Sequence, residues 1–430
     1  MNSVETQMME AIDRNRKKIH KTGRKIWEFR EVGWEEFNSS ALLMDELEKE
    51  GFEVQRGLVG KHPKFDHKID MPTAFKAVFK GKEGGPVIGI MLEYDALPNG
   101  HACGHNLIAS AGFAAALGLK EVFQTTGSVI VFGTPAEELE GSKHYILEGG
   151  YMDEVDLMLT SHYGSDWGSE VTGKAIVWPT HDNWLTFKGS SSHASSSPEK
   201  GRSALDAVIL TTMGLEFLRE HMLETNRIHY IISNGGTAAN SVPDLATLNV
   251  ELRTNDSAEL NALMKRVDNI IKGAELMTDT TALYKWDAPW YCATPVPGLY
   301  RLAAKYAPDL GIDESRFSFG ALPKASSDLG CVAYKIPSVE ITFPIVGEDE
   351  PAPVGHADET AAITGNEFPL DQSILAGKPC SSLGYRIGTN PEELGKIKAE
   401  FEKIIRIAAS RTRACLKIAS VSCASHFVEI

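Results

Sequence analysis

Cysteine is scarce in this 430-residue chain: six residues, at 103, 292, 331, 380, 415 and 423, lie far apart. Thiols so scattered read as free cysteines of an intracellular protein rather than a disulfide framework, and a cytoplasmic location is expected. No apolar run approaches the roughly 20 residues that a membrane span needs. The N-terminus, MNSVETQMMEAIDRNRKKIH, lacks the apolar core of a signal peptide and reads as a polar helix. Positive charge is in deficit, with 43 Lys and Arg against 58 Asp and Glu and a net charge of −15. That balance argues against nucleic acid or an anionic membrane as a partner. No internal repeat is visible. What remains, 43% hydrophobic and 23% charged, is the composition of a globular protein. The length exceeds one ordinary core, so two domains are expected.

Ligand-type side chains gather in one place. EYDALPNGHACGHNL, Glu93 to Leu107, follows an apolar strand and holds Glu93, Asp95, His101, Cys103 and His105. Further strand ends add more. GTPAEE places Glu137 and Glu138 just past Val129 to Phe132. Val155 to Thr160 runs into Ser161, His162 and Tyr163, and a late Pro-rich loop closes on His356. An open α/β sheet binds ligands at such strand ends. A Cys-x-His pair suits Zn²⁺ from a tight turn, although alone it more often describes a buried thiol beside a capping imidazole. Two adjacent acids opening a helix are often only dipole-stabilising.

Apolar runs alternate with helical periodicity. The reading is a helix capped by Ser39-Ser40 and stopped at Gly51, strands at Phe75 to Phe79, Val87 to Leu92, Val129 to Phe132 and Val155 to Thr160, and helices over Asn106 to Phe123 and near Leu139 to Glu148. This predicts an α/β domain with a mostly parallel mixed sheet flanked by helices. Then NWLTFKG, Arg202 to Glu224, RIHYIIS, ATLNVELR, Ser257 to Leu276 and ALYKW read as β-α-β-β-α-β, a ferredoxin-like α+β order. We take 182–290 as an inserted domain, and 1–181 with 291–430 as a discontinuous catalytic domain. Pro297 to Tyr306, a helix, and PSVEITF, a strand, belong to the returned segment. The tail from Thr412 has a mixed pattern.

EYDALPNGHACGHNLIASAG, FGTPAEE, KGSSSHASSSPEKGRSALDA, NGGTAANSVPD and KASSDLGCVAYKIPS match, in order, a known family. The chain resembles the two-metal amidohydrolases and peptidases of aminoacylase, carboxypeptidase G and the auxin-conjugate hydrolases. It is most similar to the branch of aminobenzoyl-glutamate hydrolases and β-alanyl-lysine dipeptidase. The likeness covers roughly residues 10 to 365 and fades after that. It implies a di-zinc exopeptidase-like fold whose insert is a lid and dimerisation domain. It implies two divalent ions, most simply Zn²⁺ with Mn²⁺ or Co²⁺ as alternatives, held by Cys103, His105, Glu138, His162 and His356, with Cys103 bridging. Glu137 becomes the general base, Asp95 orients a ligand, and His101 is structural or supports the ligands.

The resemblance further gives His193, from the partner subunit of a homodimer, a role on the oxyanion. Asn240 would hold the substrate carbonyl or carboxylate. Arg253, otherwise a strand-end surface Arg, would pair with the substrate's free carboxylate. The expected activity is hydrolysis of an N-acyl amino acid or dipeptide-like amide by metal-activated water. Amide formation on the same site and a metal-free scaffold are the alternatives. Glu340, after PSV where this branch often shows His, and the acidic loop PIVGEDEPAPVG depart from the pattern.

Overall fold

The computed structural model describes residues 2–81, 83–124, 127–171, 173–179, 184–319 and 325–421. The chain forms two compact units. One runs up to Thr172 and from Ala293 to Ile405, the other from Gly173 to Cys292 with the chain from Arg406 onward.

In the first unit, α1 (Ser3–Phe29) opens with a capping box between Asn2 and Glu5. Met8, Ile12, Ile19 and Ile26 recur on one face and are fully buried, so the helix that reads as polar is amphipathic. Next, α2 (Phe37–Lys49) starts from Glu36 rather than from Ser39-Ser40. The serines lie inside its first turn, where the Glu31 carboxylate accepts the Ser39 amide at 2.8 Å and its hydroxyl at 2.7 Å.

The sheet of this unit contains β1 (Glu53–Lys61), β2 (Lys68–Lys80), β3 (Val87–Leu92), β4 (Ser128–Gly133), β5 (Leu157–Gly164), β6 (Gly168–Glu170), β12 (Ser318–Phe319) and β13 (Ser338–Pro344). Their order is β1-β2-β4-β3-β5-β13-β6-β12. Strands β4, β3, β5 and β13 are parallel. The β1–β2 hairpin joins β4 antiparallel, and β6 lies antiparallel to β13. The central strands are nearly continuous buried runs, as strands covered on both faces must be. The sheet is mixed and flanked by helices, as expected. The Phe75 to Phe79 run proves to be part of the longer β2, whose polar first half hides it from a search for apolar runs.

Helix α3 (His105–Phe123) follows β3 and is apolar on every side. Nearly all of it is buried inside the protein, the setting expected of an all-round apolar helix in a large core. Helix α4 (Lys143–Glu148) begins later than its periodicity suggests, which leaves Glu137 and Glu138 in a turn. Strand β5 extends to Gly164, so His162 lies within it, opposite Thr342 of β13. Beyond the second unit come α7 (Pro297–Tyr306), α8 (Leu329–Ala333), α9 (Asp358–Ile363), α10 (Glu367–Gly388) and α11 (Pro391–Val421). Helix α10 packs on α3 so closely that a Cβ at Gly377 would lie 2.5 Å from the Ala114 Cβ.

The second unit contains β7 (Ala175–Val177), β8 (Leu185–Lys188), α5 (Ala204–Arg219), β9 (Arg227–Asn234), β10 (Leu245–Thr254), α6 (Ser257–Thr278) and β11 (Thr281–Leu283). Strands β11, β8, β10 and β9 lie side by side, antiparallel throughout, and β7 extends the β8 side of β10. From β8 to β11 this is the ferredoxin-like order. Ser203 caps α5, and Asp256 caps α6. Leu185, Phe187, Val208, Leu248 and Val267 are fully buried between sheet and helices. Asn183, the first residue of the NWLTFKG run, and residues 422–430 of the tail lie outside the described residues. The tail is helical as far as Val421.

Candidate metal centre

The C-terminal ends of β3, β4 and β5 converge in the first unit. Gly104, at φ +67°, precedes α3. That left-handed residue turns the chain sharply enough for Cys103 and His105 to face one space. The His105 ring is fully buried, and its Nδ1 lies 2.8 Å from Asp95 Oδ1. A carboxylate there keeps the ring proton on Nδ1 and aims the Nε2 lone pair inward. His162 Nδ1 donates to the Tyr163 carbonyl at 2.9 Å, and its Nε2 sits 3.7 Å from Cys103 Sγ. His356 has a left-handed backbone, φ +68°. It is held there by its amide on the Ala102 carbonyl at 3.1 Å and by Asn99 Nδ2 on its own carbonyl at 3.1 Å.

The ligand atoms of Cys103, His105 and His162 all lie within 4.8 Å of one another, as do those of Cys103, Glu138 and His356. Cys103 belongs to both groups. His105, Glu137 and Glu138 form a third such group. Glu138 Oε1 is 3.3 Å from His356 Nε2, and Glu137 Oε2 is 3.9 Å from His105 Nε2.

The donors fit metal ions. Among the described residues, His105 Nε2 and Glu138 Oε1 are buried and make no hydrogen bond of good geometry, a state that costs roughly 1–3 kcal/mol per group unless something satisfies it. A thiolate, imidazoles and a carboxylate are the donor set of a transition-type divalent ion. The paired groups around one sulfur have room for two such ions.

Electrostatics agree with this chemistry. Burial alone raises the Cys103 thiol, but His105, His162 and His356 outweigh it and hold the group well below the usual thiol range. Asp95 is pushed up by burial and down by His105, and the net is downward. Burial, then repulsion from Glu93, lifts Glu137 well above an ordinary carboxyl. Burial, then the Cys103 charge, lifts Glu138 to about 8. A cation among these groups favours their charged forms. His101 is apart from them. Its Nε2 meets the Ile26 carbonyl at 2.9 Å, and burial, then the nearby His105, lowers it to about 4.

Some residues at this centre drew no functional reading from the sequence. Lys143 is fully buried between Asp328 and Glu93, 2.8 Å from the latter, and Glu93 Oε2 is 3.5 Å from His105 Nε2. Glu36 accepts the Ala136 amide at 2.8 Å. These partners are far apart in the chain, and no local spacing announces them. Glu340 is buried in β13, opposite Thr160 of β5. Among the described residues no disulfide joins Cys103, Cys292, Cys331 or Cys380, and the side chains of Cys415 and Cys423 lie outside the described part.

His193, Asn240 and Arg253 belong to the second unit. His193 is exposed, and its Nδ1 accepts the amides of Ser195 and Ser196 at 3.2 Å each. The neutral ring therefore carries its proton on Nε2. Asn240 lies nearby, its carbonyl accepting the Ala194 amide at 2.9 Å. Arg253, half-buried on β10, gives its Nε to Glu251 at 2.5 Å.

Comparison with known proteins places these observations. Residues 181–276 match the model of the M20 peptidase dimerisation domain. The chain is 30% identical to the Xaa-Arg dipeptidase of Mus musculus over 91% of both chains. It is 36% identical to a p-aminobenzoyl-glutamate hydrolase chain of Escherichia coli, over 67% of this chain and 61% of that one. A dinuclear metal-binding peptidase of the M20 family from Bacillus subtilis shares the fold, with a TM-score of 0.58 at 19% identity, covering 85% of this chain and 98% of that one. The chain belongs to the M20 family of peptidases and amide hydrolases.

Proposed function

We propose that this chain is a metal-dependent hydrolase of an N-acyl amino acid or dipeptide-like amide that carries a free carboxylate. The observation that carries this reading is Cys103, shared by two groups of metal-type donors, with Glu137 beside them on the turn that supplies Glu138. Relatives named for hydrolysing p-aminobenzoyl-glutamate and Xaa-Arg dipeptides support the bond type.

We take the ions to be zinc, held by Cys103, His105 and His162 and by Cys103, Glu138 and His356. When bound, such ions polarise the scissile carbonyl and lower the pKa of water toward ~7. Glu137 accepts the proton of the attacking water on a carboxylate oxygen and returns it to the departing amine. Asp95 keeps His105 in the Nδ1–H form. His193, with its proton on Nε2, donates to the oxyanion from the neighbouring subunit, Asn240 holds the substrate carbonyl or carboxylate, and Arg253 pairs with the free carboxylate.

The dimer in this reading forms through the inserted domain, which we keep at 182–290. Strand β9 pairs with β10 and with no other strand among the described residues, and its Ile231 is 62% exposed. On α5, Ile209, Met213 and Phe217 recur at helical spacing and are exposed. An unpaired edge and an apolar stripe are what a second copy of the chain would cover. Scattered cysteines with no disulfide among the described residues support a cytoplasmic enzyme.

The test is amine release from a panel of N-acyl amino acids and dipeptides by the zinc-loaded protein, with chelated protein as control. Release that chelation abolishes is the expected result. No release from any member, or release that survives chelation, overturns the reading.

A further inference from the structure

The turn between β4 and α4 carries Glu137 and Glu138, and carboxylates from distant segments hold its backbone amides. Ala136 donates to Glu36 Oε1 at 2.8 Å, and Glu138 to Asp95 Oδ2 at 3.0 Å. Ser142 and Lys143 both donate to Asp328 Oδ2 at 2.9 Å. All three acids are buried: Glu36 and Asp328 are 0% exposed and Asp95 is 1%. Glu36 also accepts the Thr73 hydroxyl, through Oε2 at 3.0 Å.

Burying a carboxylate is unfavourable unless it is well partnered, and an apolar side chain of similar volume stabilises a core better. What these acids share is the object they grip. That turn needs gripping. Ala136 has φ +59°, a left-handed conformation that a side chain with a Cβ disfavours. Such a residue persists only where its surroundings impose it. Because Ala136 precedes Glu137, its conformation sets the direction in which Glu137 leaves the backbone. Glu36 is the side chain bonded to the Ala136 amide.

We propose that Glu36 is a positioning residue for catalysis: by holding Ala136 in the left-handed conformation it aims Glu137 and Glu138 at the donor cluster. This inference rests on the reading of Glu137 as base and Glu138 as ligand.

The experiment compares Glu36→Gln, Glu36→Leu and the double variant Glu36→Leu/Ala136→Gly, as full chains below their melting temperatures. Metal-stripped protein is titrated with Zn²⁺ against a chromophoric chelator, and kcat and KM are measured on an amide that the wild type cleaves. Glu36→Gln keeps an oxygen for the Ala136 amide and stays near wild type. Glu36→Leu loses roughly 10-fold or more in kcat with KM little changed, as a displaced catalytic group does, and one zinc step weakens by about 10-fold. Glycine enters the left-handed region without steric penalty, so adding Ala136→Gly restores part of both losses.

A merely structural role lowers the melting temperature but leaves kcat and zinc affinity of the folded molecules intact. That outcome, or no rescue by Ala136→Gly, overturns the proposal. Should Glu36→Leu fail to fold, Thr73→Val frees Glu36 Oε2 and gives smaller losses in the same two readouts, and no change in either overturns it. Glu137→Gln is the control. An unchanged kcat there sinks the base assignment, while the zinc titrations still decide the role of Glu36.

Discussion

His105 Nδ1 and Asp95 Oδ1 stand 2.8 Å apart, and the other oxygen of the same carboxylate accepts the Glu138 amide at 3.0 Å. One buried acid thus orients a proposed ligand on α3 and ties down the turn that carries another.

Asp95→Asn should cost at least one of the two ties, since an amide keeps one acceptor oxygen but not two. Partners that orient ligands are commonly worth 10- to 100-fold in metal affinity. Zinc affinity of the variant is therefore expected to fall by roughly 10-fold or more, read by chelator competition. Wild-type affinity would show that His105 is set by its own packing.

Cys103 lies in both donor groups. Cys103→Ala removes the shared sulfur, so elemental analysis should find both ions depleted rather than one. A variant retaining full metal content would remove Cys103 from the ligand set.

The adjacent acids should separate cleanly. Glu137→Gln keeps shape but accepts no proton, and turnover is expected to drop by at least ~10²-fold with metal content unchanged. Glu138→Gln should lose metal first. The reverse pattern exchanges the two assignments.

Assembly can be tested by mixing inactive Glu137→Gln chains with inactive His193→Ala chains under exchange conditions. In a mixed dimer one site receives an intact Glu137 from one chain and an intact His193 from the other, so part of the activity returns. Mixed dimers without activity would falsify the shared site.

Glu36 gives a pH signature. Burial, then repulsion from Asp95, raises its carboxyl from 4.5 to about 7. The folded state therefore holds this proton more tightly than the unfolded chain. Its stabilising contribution is complete below 4.5 and is lost as pH rises through about 7. Glu36→Gln lacks that loss. In metal-stripped protein the variant should gain on wild type between those values, by on the order of 3 kcal/mol from a shift of this size. Denaturant melts across that pH window would show a constant difference if the carboxyl titrates normally.

The sequence alone pointed to the family, the class of reaction and most of the core elements. Metal donors are few in kind, and residues of those kinds stand at the ends of apolar runs or in a late loop; the family likeness then singled out Cys103, His105, Glu138, His162 and His356 as the candidate set, and the structure brings their ligand atoms together. Strands β3 and β4 were legible because strands buried on both faces must be apolar throughout. The β-α-β-β-α-β order of the second unit was equally plain, since each element has its own period.

Other features were decided only in three dimensions. Ser39 and Ser40 have cap chemistry, yet Glu31 claims Ser39 and the helix starts earlier. Helices α10 and α11 follow the region of family likeness, and α10 is specified by contact with α3, which a local pattern does not record. Glu36, Lys143 and Asp328 look like ordinary surface charges in the sequence. Folding buries them around one turn, because unpaired amides and a left-handed Ala136 need partners that the neighbouring chain cannot supply. Which side chains are candidate metal donors was read from ligand-type residues at strand ends and from the family likeness; which side chains hold those candidates still follows from burial, and burial is a property of the assembled fold.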